Sequence, residues 1–261
     1  ELIKGIYLAL DRFGFVGGRD QKILDPAMGT GNFFSVFPKE MEGTQLHGVE
    51  LDSITGRIAK QLYQDANILV QGFETTTYED NTFDVVIGNI PFNNVKLYDK
   101  RYAENDFLIH DYFIAKSLDL LKPGGIMAFI SSKGTMDKRD TTVREYIAGR
   151  ADLIGAIRLP NTAFKALAGT EVTADILFFQ KLNHPRIVDK YALPDWVFTN
   201  TRKSDYINLN QYFIENPEMV LGEMQYSRNM YGNEDGTACI SPKGQDLYKE
   251  LDDALQRLNA R

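Results

Sequence analysis

Apolar positions in this chain fall into two alternating rhythms. Leu2, Ile6, Leu10 and Phe13 recur at helical spacing within residues 1–13, which predicts a helix with one apolar face. Gly14, Gly17 and Gly18 then mark a turn. Short aliphatic runs follow, each too brief for a helix and therefore read as buried strands. They are "QKILD" (21–25), "QLHGVELD" (45–52), "NILVQG" (67–72), "FDVVIGN" (83–89), "IMAFISS" (126–132), "DLIGAIRL" (152–159) and "TADILFFQK" (173–181). Helical patterns separate them. One opens within "PAMGTGNFF" (26–34), and "SITGRIAKQLYQD" (53–65) has Asp52 or Ser53 as its cap. "IHDYFIAKSLDLL" (109–121) stops at the cationic proline-glycine run 122–125, and "TTVREYIAGR" (141–150) follows.

Strand alternating with helix predicts an α/β fold: a Rossmann-like, doubly wound, mostly parallel seven-stranded sheet with a small C-terminal extension. After Lys181 the rhythm breaks into the turn-rich "NHPRIVDKYALPDW", so the expected units are 1–183 and a mixed, partly helical extension, 184–261. The extension ends in an amphipathic helix over 244–260, with Leu247, Leu251, Leu255 and Leu258 on one stripe. Tyr206, Tyr212, Phe213, Tyr226 and Tyr231 of this extension are expected to pack rather than to stack on bases.

Composition narrows the class. Of 261 residues 43% are hydrophobic and 25% charged, as in ordinary globular proteins. No apolar run reaches the ~18 residues of a membrane helix, and residues 1–10 lack the features of a secretory signal. The start at Glu1 without a methionine suggests a piece of a longer chain. A single cysteine, Cys239, excludes a disulfide framework and points to a reducing, cytoplasmic setting. His47, His110 and His184 are scattered, so no metal site is expected. The net charge of −7 argues against a free-standing nucleic-acid binder, although a local basic face is compatible with it.

Two constellations carry chemistry. Gly29 and Gly31 stand at a strand-to-helix turn, where the backbone bends sharply and a ligand approaches closely. Asp25 is placed to accept hydrogen bonds from a ligand, including from an ammonium. Glu50, about 20 residues past the glycines, ends the next strand, where an acidic side chain binds ribose hydroxyls. Leu51 and Phe73 are placed to sandwich a purine. Phe34 stands where a dinucleotide fingerprint has its third glycine, so an adenosine ligand without a pyrophosphate fits better than a nicotinamide cofactor. A plain tight turn is the alternative reading of Gly-x-Gly.

The second constellation is Asn89-Ile90-Pro91-Phe92, at the end of the fourth strand. If the adenosine ligand is S-adenosylmethionine, transfer to an exocyclic amine must overcome conjugation of the nitrogen lone pair into its ring. The Asn89 side-chain oxygen and the Ile90 carbonyl offer two acceptors that would pyramidalise that nitrogen. Pro91 fixes φ and leaves no competing N–H, and Phe92 gives a base removed from its duplex a face to stack on. An Asn-x-Pro turn with a core phenylalanine is the alternative.

"DPAMGTGNF", "GVELD", "FDVVIGNIPF" and "LKPGGIMAFISS" follow one another in an order that resembles the amino-methylating DNA adenine methyltransferases of the γ order. Here Asn-Ile-Pro-Phe replaces their Asn-Pro-Pro-Tyr or Asn-Pro-Pro-Phe. "RLPNTAFKALAGTEVTADILFFQK" resembles the family's closing strands, and the likeness covers about residues 11–181. It also extends to methylase modules within long helicase-containing proteins of mobile elements and phages. The resemblance implies S-adenosylmethionine as cofactor, held by Asp25, Pro26, Ala27, Gly29, Gly31, Asn32, Phe33, Glu50, Leu51 and Phe73. It implies that Asn89, Ile90, Pro91 and Phe92 hold a flipped DNA adenine, and it brings a restriction-modification setting, with flanking helicase domains as partners. Ile90 should be tolerated, since the carbonyl does the chemistry. The family's upstream Thr-Pro pair has no counterpart here, and Phe73-Glu74 stands where many relatives have Asp.

Lys96, Lys100 and Arg101, among Tyr98 and Tyr102 in the polar loop 93–105, are candidate DNA contacts, as are Lys133, Lys138, Arg139 and Arg144 beyond the fifth strand. A solvated surface is the alternative for both. Cys239 lies in no Pro-Cys pair, which excludes a covalent route to cytosine carbon-5. Two rival functions stand beside the main one: a protein-glutamine methyltransferase, which shares an Asn-Pro-Pro-Tyr signature, and an inactive module docking cofactor or DNA.

Overall fold

Burial of the short aliphatic runs determines the architecture. The structure, a computed structural model, describes residues 1–164, 172–189, 191–226 and 236–258. The first helix, α1 (Leu2–Arg12), buries Ile6, Tyr7, Ala9 and Leu10. Then come β1 (Lys22–Asp25), the single-turn α2 (Asn32–Ser35), β2 (Gln45–Glu50), α3 (Ser53–Leu62), β3 (Asn67–Val70) and β4 (Phe83–Asn89). The chain continues with α4 (Ile109–Leu120), β5 (Leu121–Ser132), β6 (Ala151–Leu159) and β7 (Ala174–Lys181). These seven strands form one sheet in the order β3-β2-β1-β4-β5-β7-β6. Only β7 runs against its neighbours, so the sheet is mostly parallel, as the alternating pattern predicts.

The chain winds outward from β1 to β3, then returns to lay β4 on the other side of β1. That reversal is a topological switch point, where open α/β sheets bind ligands beyond the carboxyl ends of their strands. Parallel pairing of Ile23 with Val85 and of Leu24 with Val86 brings the ends of β1 and β4 together.

Several boundaries differ from the pattern reading. Helix α4 ends at Leu120, just before the Lys-Pro-Gly-Gly run expected to stop it, but the run itself lies inside β5, which starts at Leu121. Leu121 pairs with Phe83 and Ile126 with Val85, so four residues loop out between paired positions. The ion pair from Lys122 to Asp84, at 2.8 Å, tethers that excursion. Asp52, not Ser53, caps α3, accepting from the Thr55 N–H at 2.7 Å. The last helix spans Leu247–Arg257 and is capped by Asp246; residues 259 and 260, expected to continue it, lie outside the described ones, as do 165–171 of the family-like segment. Among the described residues no helix is long and apolar enough to cross a membrane.

Two antiparallel pairs, β8 (Thr199–Thr201) with β9 (Asn208–Asn210) and β10 (Glu223–Tyr226) with β11 (Thr237–Ile240), went unforeseen. Buried polar groups anchor them to the sheet. Arg158 of β6 is fully buried and bonds both Asp175 oxygens at 2.8 Å and Asp137 at 2.6 Å. Its guanidinium lies 4.4 Å from the centroid of Phe213. Asn210 donates to the carbonyls of Met136 and Trp196. On the far side the last helix buries Leu251 and Leu255, and Arg12 of α1 donates to the Leu255 carbonyl at 2.9 Å.

Arg144 corrects an expectation. It does not face nucleic acid but is fully buried, donating to the carbonyls of Val197, Thr135 and Lys138. A guanidinium fork satisfies three carbonyls that no strand or helix partner reaches. Phe213 and Tyr212 pack as expected, but Tyr206 and Tyr226 are exposed, with the Tyr226 hydroxyl donating to the Tyr206 carbonyl. Tyr231 lies outside the described residues.

Candidate active site

The end of β1 leaves Asp25 almost wholly buried. Its Oδ1 accepts from the Ala27 N–H at 3.1 Å, and Oδ2 has no partner among the described residues. Space for the carboxyl depends on Gly88, because a Cβ there would stand 2.8 Å from Oδ1. Burial, against the Ala27 bond and with the neighbouring Glu50 adding to it, pushes the carboxyl up to about 8.

The loop after Asp25 is shaped by backbone bonds. Met28 N–H reaches Val49 O at 3.0 Å, and Gly31 N–H reaches Met28 O at 2.8 Å. Gly31 sits at φ +90°, where L side chains are strained. A Cβ there would also collide with the Tyr63 ring, whose hydroxyl donates to the Gly31 carbonyl. Glu50, at the end of β2, fastens this loop: its two oxygens accept from the N–H groups of Gly29 at 2.9 Å and Asp52 at 2.8 Å.

A cleft of about 520 Å³ opens beside this loop. Pro26 and Ala27 form one side, Glu50, Leu51 and residues 71–74 the second, and Asn89, Ile90, Pro91 and Phe92 the third. Leu51 is exposed, whereas Phe73 is buried with its ring 4.9 Å from that of Phe113. Asn89 is exposed, and among the described residues its side chain makes no hydrogen bond. Ile90 is buried and its N–H is taken by Ile130 O at 3.2 Å, tying the lip to β5.

Nine of the residues expected at the site thus share one cleft. Asp25 lies beneath it, while Gly29, Gly31 and Asn32 continue the loop away from its lining. Phe33 turns into the core, and its carbonyl accepts from the Tyr7 hydroxyl at 3.1 Å. Glu74, noted where many relatives have Asp, also lines the cleft, as do Gln71, Leu97, Ile109 and Phe113, which were not singled out in the sequence. Ile109 and Phe113 stand four apart at the start of a helix directly after the polar loop, a spacing that signals one shared face.

Most of the candidate DNA-contacting cations are engaged within the protein. Lys96 pairs with Asp106 at 2.5 Å, Arg101 with Asp80 at 2.7 Å and Asp119 at 3.1 Å, and Lys138 with buried Asp111 at 2.5 Å. Lys133 donates to Thr237 Oγ1 at 2.7 Å, fastening β11 to the end of β5. Lys100 and Arg139 make no ion pair among the described residues. Cys239 is buried, and burial pushes its thiol up to about 12, far from a nucleophilic thiolate.

The donor set suits a cationic adenosine. An orphaned buried carboxylate oxygen on Asp25 and the nearby Glu50 favour positive charge, and Leu51 and Phe73 supply apolar walls for a ring.

The comparisons with known proteins point the same way. Residues 15–211 match the model of the N-6 DNA Methylase family. Over 171 residues the chain is 34% identical to "Defense against restriction protein B" of Escherichia phage P1, covering 62% of this chain and 7% of that protein. It is 29% identical over 113 residues to "Modification methylase CviBIII" of Paramecium bursaria Chlorella virus NC1A, covering 41% of this chain and 30% of the relative. The chain thus spans under a third of either relative. Among solved structures, a protein of Listeria monocytogenes described as a class I S-adenosylmethionine-dependent methyltransferase superposes with a TM-score of 0.56 at 25% identity, over 71% of this chain and 62% of that one. A modification subunit of a type I restriction enzyme from Vibrio vulnificus YJ016 shares the fold, with a TM-score of 0.55 at 16% identity over 71% of this chain and 44% of that one. With three quarters of its length under the family model, the chain belongs to the N-6 DNA Methylase family, on the fold of the S-adenosylmethionine-dependent methyltransferases.

Proposed function

We propose that this chain transfers a methyl group from S-adenosylmethionine to the N6 amine of adenine in DNA. One observation carries the reading: the Asn89-to-Phe92 lip and the wall of Glu50, Leu51 and Phe73 open on the same cleft. Bound S-adenosylmethionine supplies an electrophilic methyl on a sulfonium. Asn89 accepts one N–H of the target amine through its side-chain oxygen, and the Ile90 carbonyl accepts the other. Both oxygens are without partners among the described residues, so neither acceptor must first be released. The two bonds draw the nitrogen out of its ring plane and free its lone pair. Phe92 stacks on the extruded base, and Pro91 holds the turn. The methylated ammonium then loses its proton to water without a strong base.

Residues 1–183 act in this reading as the catalytic unit, with 184–261 as a scaffold or partial DNA-recognition segment. The names of the phage and viral relatives support a setting of DNA modification and protection against restriction, and in this reading the unit works within a longer chain with further domains such as a helicase. The test is transfer of labelled methyl to unmethylated DNA, followed by digestion to nucleosides, beside a glutamine-containing peptide. Label should appear as N6-methyladenine, and Asn89→Ala should lower the rate by about a hundredfold or more. Label on the peptide alone, or transfer that survives Asn89→Ala, would overturn the assignment.

A further inference from the structure

Lys116, in the middle of α4, is a cation in an almost closed interior, only 7% exposed. Charged lysines are rarely buried unless paired, and the groups that hold this one come from two separate parts of the site. On one side its Nζ donates to the Phe73 carbonyl at 2.7 Å and the Thr76 carbonyl at 3.4 Å. The same ammonium lies 4.9 Å from the Phe73 ring centroid. These groups belong to the short turn Phe73–Thr75 that closes the wall at the end of β3, and to the residue after it. On the other side Nζ lies 3.5 Å from Asp99 Oδ2, in the polar loop that follows the catalytic lip.

Asp99 in turn organises its loop. Its Oδ2 accepts from the Tyr112 hydroxyl at 2.7 Å, and its Oδ1 accepts from the Arg101 N–H at 3.0 Å. One ammonium therefore ties the wall beside the cofactor to the loop that carries Lys96, Lys100 and Arg101. We propose that Lys116 is a positioning residue that couples cofactor binding to DNA binding by holding the Phe73 turn and the 93–105 loop in one arrangement. The proposal rests on the cofactor cleft and the adenine-holding lip assigned above, from which the 93–105 loop continues directly, and adds to them a route of communication.

Coupling of this kind is reciprocal: DNA that orders the loop must tighten cofactor binding by the factor by which cofactor tightens DNA binding. The experiment titrates S-adenosylhomocysteine calorimetrically into the protein, alone and with a duplex that the wild type methylates. Two variants are compared, Lys116→Met and Asp99→Asn. Asp99→Asn keeps an acceptor for the Arg101 N–H and turns an amide N–H towards the Tyr112 hydroxyl, whose oxygen can accept it, so it tests the link even where Lys116→Met fails to fold.

Loss of a charge-assisted hydrogen bond predicts about tenfold weaker S-adenosylhomocysteine binding in Lys116→Met. Asp99→Asn should bind it as the wild type does in the absence of DNA. In both variants the tightening by DNA should vanish, and in the double variant the loss should be no larger than in Lys116→Met. The KM for the cofactor should rise while kcat at saturation stays within about twofold, and Lys116→Arg should recover part of the affinity. DNA tightening that persists in either variant overturns the proposal, as does a wild type whose cofactor affinity ignores DNA. Absence of any methyl transfer by the wild type would instead count against the function itself.

Discussion

Replacing Asp25 by asparagine tests whether the acid beneath the cleft is held for the ligand at the expense of the fold. An unfolded aspartate titrates near 3.8, whereas burial holds the folded one at about 8. The folded state therefore keeps a proton that the unfolded state has lost between about pH 4 and pH 8. Stability changes with pH in proportion to protons bound by the unfolded minus the folded state, which is −1 in this window. The wild type should lose stability as pH rises, by roughly 1.4 kcal/mol per unit, and level off above pH 8. Across the whole window the sum is about 5 to 6 kcal/mol, and from pH 5 to pH 8 about 4 kcal/mol. In Asp25→Asn the amide oxygen remains an acceptor for the Ala27 N–H and the side chain cannot ionise, so the variant should lack this slope.

The assay is urea unfolding of wild type and Asp25→Asn without cofactor, at constant ionic strength from pH 5 to pH 9. The stability difference should open in favour of the variant as pH rises. A cationic ligand reverses the balance by stabilising the carboxylate. Wild-type affinity for S-adenosylmethionine should therefore tighten up to tenfold per pH unit towards pH 8, with release of a proton on binding, while Asp25→Asn should bind weakly at every pH. Parallel pH profiles for the two proteins would refute the reasoning, because Asp25 would then already be ionised in the folded chain.

Two further perturbations probe the frame around the cleft. Gly31→Ala places a side chain at φ +90° and against the Tyr63 ring. A left-handed alanine costs about 1–2 kcal/mol before any collision, so cofactor affinity should fall about tenfold or more, with partial recovery on adding Tyr63→Ala; unchanged calorimetric affinity would deny Tyr63 a part in shaping the loop. Arg158→Met leaves Asp175 buried without its charge partner and should lower stability to urea by about 3–5 kcal/mol, whereas a loss below about 1 kcal/mol would mean that the clamp does not anchor the C-terminal strands.

The sheet was legible because its strands are buried on both faces and spell continuous aliphatic runs, as "FDVVIGN" does. Their order across the sheet was not legible: the reversal at β1 and the place of antiparallel β7 between β5 and β6 emerge only from the pairing. The Lys-Pro-Gly-Gly run marked the end of α4 but hid the start of β5, because proline and glycine signal a helix stop and a looped-out strand segment alike; only pairing with β4, invisible in the linear pattern, reveals the second role. Arg144 misled for a related reason. A basic side chain near charged neighbours reads as surface, and only the folded chain reveals three carbonyls converging on it. The wall residues Gln71, Leu97 and Phe113 carry no chemical signature of their own, since an apolar or amide side chain acquires a role only from the cleft it faces. Phe33 illustrates the reverse: its place in the glycine motif suggested the ligand, yet its ring completes the core beneath the loop.

The fate of the basic residues bears on how such a protein would hold DNA. Lys96, Arg101 and Lys138 are each neutralised by a carboxylate, Lys133 is held by Thr237, and Arg144 is buried. Lys100 and Arg139 are the candidates left without such a partner among the described residues. Phosphate neutralisation scales with the number of free cations, so two of them release few counterions and contribute little affinity. A chain of net charge −7 cannot make up that shortfall with its overall field. Under the proposed function, affinity on this surface would then come chiefly from the extruded base, through stacking on Phe92 and the two acceptors at the lip. Such an interface selects by what fits the cleft rather than by how strongly it attracts a backbone.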